Sequence, residues 1–131
     1  MFECLILGDS IAVGTKMHRP ECVSYSKSGW NTWQWNRGYL RNDLNARTVI
    51  ISLGTNDHPG VKTRAELLKM RNKVKAEKVY WIMPAIKPNI QEIVREIAKQ
   101  YGDAIIKIPS LSRDGIHPTG KGYKSIASQA K

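Results

Sequence analysis

A serine near the start of the chain and an aspartate–histidine pair near its end have the residue types of a nucleophilic triad. Ser10 follows an apolar run and Gly8-Asp9, whereas Asp114 and His117 lie three residues apart. A serine hydroxyl is a poor nucleophile until a histidine takes its proton, and a carboxylate fixes the tautomer of that histidine. One turn of chain would bring the Asp114 carboxylate to the imidazole Nδ1 and leave Nε2 facing Ser10. These residues predict acyl transfer through a serine.

The elements that position these residues follow from hydrophobic patterning. Five short apolar runs alternate with helix-like segments, at 2–7, 22–25, 48–53, 78–83 and 104–108. This alternation is typical of a parallel α/β sheet, and the nearly continuous runs at 48–53 and 78–83 indicate central strands covered on both faces. We predict a flavodoxin-like three-layer α/β/α sandwich with a five-stranded parallel sheet in the order 2-1-3-4-5.

Helices are predicted between these strands. Segments 63–76 and 89–100 carry apolar residues at helical spacing. Thr32 or Asn31 is suited to cap a helix that runs to about Leu44, and Pro118 is suited to the first turn of a last helix that runs to about Ala130. That last helix would place His117 at the positive end of its dipole, where the imidazolium is disfavoured.

The candidate residues follow different strands and meet at one edge. Ligands of open parallel sheets bind beyond the carboxyl ends of the strands, because the loops there converge. Ser10 follows the first run, Gly29 the second and Asn56 the third, whereas Asp114 and His117 follow the fifth. All five residues are therefore expected on the same rim.

Four motifs in this order resemble those of the SGNH hydrolases, also called the GDSL esterase/lipase superfamily. They are Gly8-Asp9-Ser10, Ser28-Gly29-Trp30-Asn31-Thr32, Gly54-Thr55-Asn56-Asp57 and Asp114-Gly115-Ile116-His117-Pro118. The resemblance spans residues 8 to 118. An α/β-hydrolase is a poorer match, because residues 8–12 lack the G-x-S-x-G pattern and the acid and histidine are nearly adjacent.

The resemblance implies a role for each matching residue. Ser10 is the nucleophile, His117 the base and Asp114 its partner. The oxyanion hole is formed by the backbone N–H groups of Ser10 and Gly29 and by the side-chain amide of Asn56. No cofactor and no metal is expected in this chemistry.

The substrate is less well defined by the sequence. The short chain leaves few loops for a deep acyl pocket, so we expect a shallow site for short acyl esters, with carbohydrate O-deacetylation as the first expectation. Lysophospholipase, thioesterase and simple arylesterase activities stay open. Candidate substrate-binding residues around the site are Asp9, Trp30, Trp35 and His58. Two neighbours are expected to be structural: Trp33 as a buried core residue and Asp57 as a helix cap.

Size and cysteine content bound the remaining possibilities. The 131 residues are enough for one domain, 1–131, and no apolar stretch approaches the length of a membrane helix. The chain begins with a predicted strand and not with a secretion signal, so a cytoplasmic location is expected. Cys4 and Cys22 fit neither a metal site nor a disulfide framework; reduced core thiols are favoured over a cross-strand disulfide.

The net charge of +10 lies mainly in the second half of the chain. Residues 62–131 carry 15 basic and 6 acidic groups, against 6 and 5 in residues 1–61. Such a surface could attract nucleic acid or another polyanion, although a solvated helix face is the more common reason for it. A basic binding module with an idle serine site is therefore the alternative from a different functional class.

Overall fold

The computed structural model describes all residues from 1 to 131, and strands alternate with helices along the whole chain. The strands are β1 Phe2–Gly8, β2 Val23–Ser26, β3 Asn45–Ser52, β4 Lys75–Ile82 and β5 Ala104–Ile106. The helices are α1 Ser10–Lys16, α2 Thr32–Tyr39, α3 Thr63–Lys73, α4 Pro88–Tyr101 and α5 Gly120–Gln129. No helix is long and apolar enough to cross a membrane.

The five strands form one parallel sheet in the order β2-β1-β3-β4-β5. Leu7 of β1 pairs with Tyr25 on one side and with Ile51 on the other, which places β1 inside the sheet. The predicted fold class and strand order are confirmed. The apolar runs of β1 and β3 are buried on both faces, as expected for strands between two helical layers.

Two hydrophobic cores lie on the two faces of the sheet. Helices α2, α3 and α4 pack beside one another and cover the larger core, which includes Trp35 and Trp81. Helices α1 and α5 contact each other and cover the smaller core around Ile6 and Ile50. The expectation that Trp81 is a core residue is confirmed.

Two predicted helices end earlier than the sequence pattern suggested. Helix α2 ends at Tyr39 and not near Leu44, because Leu44 is buried at the start of β3 and the chain must turn before it. Helix α3 ends at Lys73, because Lys75 and Ala76 already pair with β3. Strand pairing overrides local helix propensity at both points.

The two cysteines form a disulfide, so the prediction of reduced thiols is wrong. Cys4 lies on β1 and Cys22 directly precedes β2, and the neighbouring residues Leu5 and Val23 are partners in the sheet. This register brings the two cysteine Cα atoms within 4.6 Å, inside the range that a disulfide requires. The bond ties the short edge strand β2 to the interior strand β1.

Candidate active site

The position of Ser10 depends on an abrupt end of β1. Gly8 has φ 148°, and a Cβ there would lie 1.9 Å from the Ser52 carbonyl oxygen of the neighbouring strand, so only glycine fits. Asp9 donates its backbone N–H to that same carbonyl at 3.0 Å and caps α1. Ser10 is the first residue of α1 and is half-buried at the carboxyl end of the sheet.

The aspartate and the histidine lie on a loop that is closed upon itself. Leu111 and Pro118 form an antiparallel bridge across its base, and the Ser112 N–H donates to the His117 carbonyl at 2.8 Å. Within this loop His117 Nδ1 lies 2.7 Å from Asp114 Oδ2. The other ring nitrogen, Nε2, lies 2.8 Å from Ser10 Oγ, so one hydrogen-bonded path joins the three side chains.

The Asp114 carboxylate is held in its ionised form although it is exposed. The backbone N–H groups of His117 and Ile116 donate to Oδ1, the His117 ring binds Oδ2, and Ser112 Oγ lies 2.8 Å from Oδ1. These hydrogen bonds, the one from the His117 N–H foremost, lower the pKa of Asp114 well below its ordinary range. An ionised partner fixes the Nδ1–H tautomer of His117 and leaves Nε2 as a proton acceptor.

The three groups predicted to form the oxyanion hole differ in their surroundings. The Ser10 N–H is at the first position of a helix, where no carbonyl of the helix can accept it. Gly29 has φ 81°, is exposed, and a Cβ added there would meet no atom within 4 Å, so its backbone borders open space. The Asn56 side chain donates one amide hydrogen to the Trp30 carbonyl at 3.0 Å, which leaves the second hydrogen free and joins the Gly54–Asp57 segment to the Gly29 loop.

The turn that carries Asn56 is fixed by the next residue. Asp57 is 1% exposed, and its carboxylate accepts the Thr32 N–H at 2.9 Å and hydrogen bonds from the hydroxyls of Thr32 and Thr63 at 2.7 and 2.6 Å. Thr32 and Thr63 are the first residues of α2 and α3. The structural role expected for Asp57 is therefore confirmed, and it links the turn to two helices.

Two solved structures share this architecture. A candidate acylhydrolase from Bacteroides fragilis superposes with a TM-score of 0.67 at 18% identity, over 96% of this chain and 83% of that one. A candidate GDSL-like lipase from Parabacteroides merdae superposes with a TM-score of 0.60 at 16% identity, over 97% of this chain and 92% of that one. This chain has a GDSL-hydrolase-like fold. No protein-family model matches the sequence, and no curated protein matches it significantly.

Two of the candidate substrate-binding residues are buried, and one residue predicted to be buried is exposed. Asp9 is fully buried, so it cannot contact substrate in this structure. Trp35 is also fully buried and donates its indole N–H to the Tyr25 carbonyl. Trp33, expected in the core, is 46% exposed and stacks on Arg37. Residues two apart on a helix point to opposite faces, so α2 can bury only one of these two tryptophans.

Trp30 and His58 remain at the surface near the predicted motifs. Trp30 is half-buried beside Gly29, with its ring against Tyr39 and Gly38. His58 is exposed, and its Nδ1 accepts the Gly60 N–H at 3.1 Å. It lines a cavity of about 510 Å³ whose lining does not include the three triad residues.

The last helix of the GDSL-like fold does not begin at Pro118. Thr119 caps it through a hydrogen bond from the Gly122 N–H, and its first residue is Gly120. His117 therefore lies outside the first helical turn, to which a dipole effect is confined. The expected influence of this helix on His117 is not supported.

Two residues that contact the candidate site were not predicted from the sequence. The Ser112 hydroxyl lies within 2.9 Å of both Asp114 Oδ1 and the His117 carbonyl, and its position two residues before an aspartate was a usable turn signal. Lys87 donates to the carbonyls of Thr55 and Asp57. Nothing local to Lys87 in the sequence indicates this contact, because 30 residues or more separate the partners.

Proposed function

We propose that this protein is a serine ester hydrolase that acts through an acyl-enzyme, with Ser10 as nucleophile, His117 as general base and Asp114 as its partner. The observation that carries the proposal is the continuous hydrogen-bonded path from Ser10 Oγ through both nitrogens of His117 to Asp114. The three residues come from opposite ends of the chain, and the order of their contacts is the one that nucleophilic catalysis requires.

In the first half-reaction His117 Nε2 takes the Ser10 proton as Oγ attacks the ester carbonyl. The C=O π electrons move to the carbonyl oxygen, and the imidazolium that forms is stabilised by the ionised Asp114. Collapse of the tetrahedral intermediate breaks the bond to the alcohol, which leaves with the proton from Nε2. In the second half-reaction His117 Nε2 takes a proton from water as the water oxygen attacks the acyl carbonyl. Collapse of this intermediate breaks the bond to Ser10 Oγ, which takes that proton from Nε2, and the carboxylic acid leaves.

Negative charge on the former carbonyl oxygen needs donors that are already in place. The backbone N–H groups of Ser10 and Gly29 and the free amide hydrogen of Asn56 are proposed as these donors. Asn56 is the best supported of the three, because its amide is oriented by the Trp30 carbonyl and its main chain by Asp57. Preorganised donors of this kind commonly provide the largest catalytic effect in acyl transfer.

An open site supports short acyl groups as substrates. The side chains of His117 and Asp114 are 40% and 46% exposed, and none of the five principal cavities is lined by a triad residue. Such a site leaves the alcohol part free to be large. We therefore propose O-acetyl esters of carbohydrates as substrates, with the half-buried ring of Trp30 beside Gly29 as the surface on which a sugar would stack.

A second candidate is supported by an apolar cavity next to the triad loop. This cavity of about 290 Å³ is lined by Met83, Pro84, Ile108 and Leu111, among others, and Leu111 pairs with the residue that follows His117. It would suit a longer acyl chain, as in a lysophospholipase or thioesterase. The chain-length profile of ester hydrolysis separates the two candidates.

The decisive experiment compares Ser10→Ala with Ser128→Ala, which changes an exposed serine on α5. Ser10→Ala is expected to reduce hydrolysis of p-nitrophenyl acetate by several orders of magnitude while the circular dichroism spectrum is retained. A fluorophosphonate probe should label the wild type and Ser128→Ala, but not Ser10→Ala. Activity retained in Ser10→Ala would exclude the proposed mechanism.

A further inference from the structure

Lys87 has an unusual backbone at the start of α4. With φ 66° it is the only residue other than glycine in the left-handed region. A side chain with a Cβ is unfavourable in that region and persists there only when the surroundings determine it. Lys87 also precedes the first residue of α4, and a cation near a helix N-terminus opposes the helix dipole. Neither feature benefits α4 itself.

The Lys87 ammonium group explains this conformation. Nζ donates to the carbonyl of Thr55 at 2.7 Å and to the carbonyl of Asp57 at 2.5 Å. No other group in the protein donates to either oxygen. These two residues flank Asn56, so one charged donor holds the main chain on both sides of the proposed oxyanion-hole amide.

The backbone of Lys87 anchors this contact to a rigid element. Its carbonyl accepts the N–H groups of Ile90 and Gln91 at 2.9 and 3.0 Å, which begins α4. Ile90 then packs against Gly54, where an added Cβ would lie 2.7 Å from its Cγ2. The start of α4 thus packs on the Gly54–Asp57 turn through the apolar side chain of Ile90 and the charged side chain of Lys87.

We infer that Lys87 is a positioning residue for Asn56, an inference that rests on the proposed function. Asp57 holds the turn through its side chain from α2 and α3, whereas Lys87 holds the main-chain carbonyls from α4. A rotation of the Thr55–Asn56 peptide, or a shift of the main chain at Asp57, would move the Asn56 amide away from the position of the oxyanion. Displacements of about 1 Å at a reacting centre cost about 100-fold in rate. Lys87 restricts both movements, because it binds the carbonyl oxygen of the Thr55–Asn56 peptide and that of the Asp57–His58 peptide.

The test uses Lys87→Met, with Lys62→Met as the matched control. Lys62 precedes α3 as Lys87 precedes α4, is exposed, and forms no side-chain hydrogen bond at the cap. We expect Lys87→Met to lower kcat for p-nitrophenyl acetate by about 10- to 100-fold and to keep KM within about twofold of the wild-type value. The reason is that the Asn56 amide, which Lys87 positions, acts on the charge that develops in the transition state. Lys62→Met should match the wild type. Equal activity of Lys87→Met and wild type would overturn the inference.

A double-mutant cycle separates positioning from a general structural effect. In an Asn56→Ala background, Lys87→Met should change kcat by less than about twofold, since the group that Lys87 positions is already gone. A full further loss in that background would show that Lys87 acts by another route. Lys87→Gly protects the test against misfolding, because glycine adopts the left-handed backbone freely, and it should show the same kcat loss as Lys87→Met.

A spectroscopic measurement distinguishes failure of this inference from failure of the proposed function. NMR spectra show the side-chain amide signals of Asn56, which are assigned by their absence in Asn56→Ala. These signals should shift or broaden in Lys87→Met and stay unchanged in Lys62→Met. A wild type without esterase activity would refute the proposed function and the catalytic part of this inference, while the amide signals still decide whether Lys87 fixes Asn56. Unchanged signals in Lys87→Met would overturn the positioning role itself.

Discussion

At the scale of single residues, the side chain of Asn56 joins its own turn to the loop that carries Gly29 and Trp30. Its amide bridges to the Trp30 carbonyl, and its neighbour Asp57 is buried and bonded by two threonines. This leaves the amide little freedom to adjust when substrate binds. A donor fixed in this way stabilises the transition state more than the ground state, and so contributes to kcat rather than to KM.

We therefore predict that Asn56→Ala lowers kcat by about 100- to 1,000-fold with a smaller change in KM. Asn56→Asp should be at least as harmful, because a carboxylate repels the developing oxyanion. Asn72→Ala, an exposed position on α3, is the control and should behave as wild type. Steady-state kinetics with p-nitrophenyl acetate provide the measurement, and a change confined to KM would contradict the oxyanion role.

Asp9 is a second residue whose environment has measurable consequences. It is fully buried, and its Oδ2 has no hydrogen-bond partner. Burial raises the pKa of Asp9 from its ordinary 3.8 to about 6, although hydrogen bonds from the Ile11 N–H and the Ser52 hydroxyl oppose the shift. The folded protein therefore binds this proton more tightly than the unfolded chain does.

The free energy of unfolding should fall as the pH rises from about 4 to about 6. Between about pH 4 and pH 6 the folded state holds a proton on Asp9 that the unfolded state has lost. The stabilisation that this proton gives to the folded state is therefore complete below about pH 4 and lost above about pH 6. A shift of about two pKa units corresponds to about 3 kcal/mol. Urea unfolding of wild type and Asp9→Asn should show the variant gaining about that much relative to wild type from pH 4 to pH 7. A pH-independent difference would contradict the raised pKa of Asp9.

At the scale of elements, the edge strand β2 carries one of the loops of the proposed site. It is four residues long, none of them fully buried, and it leads directly into the loop that carries Gly29. Besides its pairing with β1, this region is tied to the interior by the Cys4–Cys22 disulfide before β2 and, after it, by the Lys27 N–H, which donates to the Gly8 carbonyl at 2.9 Å.

Removal of the disulfide should lower stability more than it lowers activity. The bond closes a short loop, with a sequence separation of 18, and loops of this size are stabilised by about 3 kcal/mol in chain-entropy models. We expect Cys4→Ala/Cys22→Ala to lose about 2–4 kcal/mol of unfolding free energy. Dithiothreitol should destabilise the wild type similarly and leave the double variant unchanged. An identical response of both proteins to reductant would contradict the disulfide.

At the scale of the whole molecule, several of the basic side chains that give the net charge of +10 are engaged in contacts within the protein. Arg71 is buried against Asp103, Arg64 pairs with Glu96, and Lys73 binds the carbonyls of Leu40 and Asn42. The basic residues of α3 therefore do not form one free stripe. Arg37 and Arg41 have no carboxylate partner and lie beside the exposed Trp33, so this face is one at which we propose polyanion contact.

We propose that the short loops above the sheet, a property of the whole molecule, limit the acyl group of the substrate to short chains. We predict that kcat/KM for p-nitrophenyl esters is highest at acetate or butyrate and falls by octanoate, since an open rim cannot desolvate a tail whose burial is worth about 0.8 kcal/mol per CH₂. Hydrolysis of acidic acetylated polysaccharides should decrease with salt, whereas hydrolysis of the neutral esters should not. A rate that climbs to decanoate would favour the cavity at Leu111 as an acyl site. Heparin retention without any ester turnover would favour the binding module.

The sequence by itself determined the strands and the rim of the sheet on which Ser10, Asp114 and His117 meet. Apolar runs and short motifs are local signals, and the geometry of parallel sheets converts them into a common edge. Ser10, Asp114 and His117 could be selected for this reason, although 107 residues separate the hydrogen-bonded Ser10 and His117.

Only the tertiary structure decided which side chains lie inside and which distant groups meet. Trp33 and Trp35 are equally apolar, and the packing of α2 on the sheet selected Trp35 for burial. Strand register joined Cys4 to Cys22, and the left-handed turn at Lys87 brought its ammonium group to Thr55 and Asp57. Each outcome depends on partners far apart in the chain, and local propensity carries no information about such pairings.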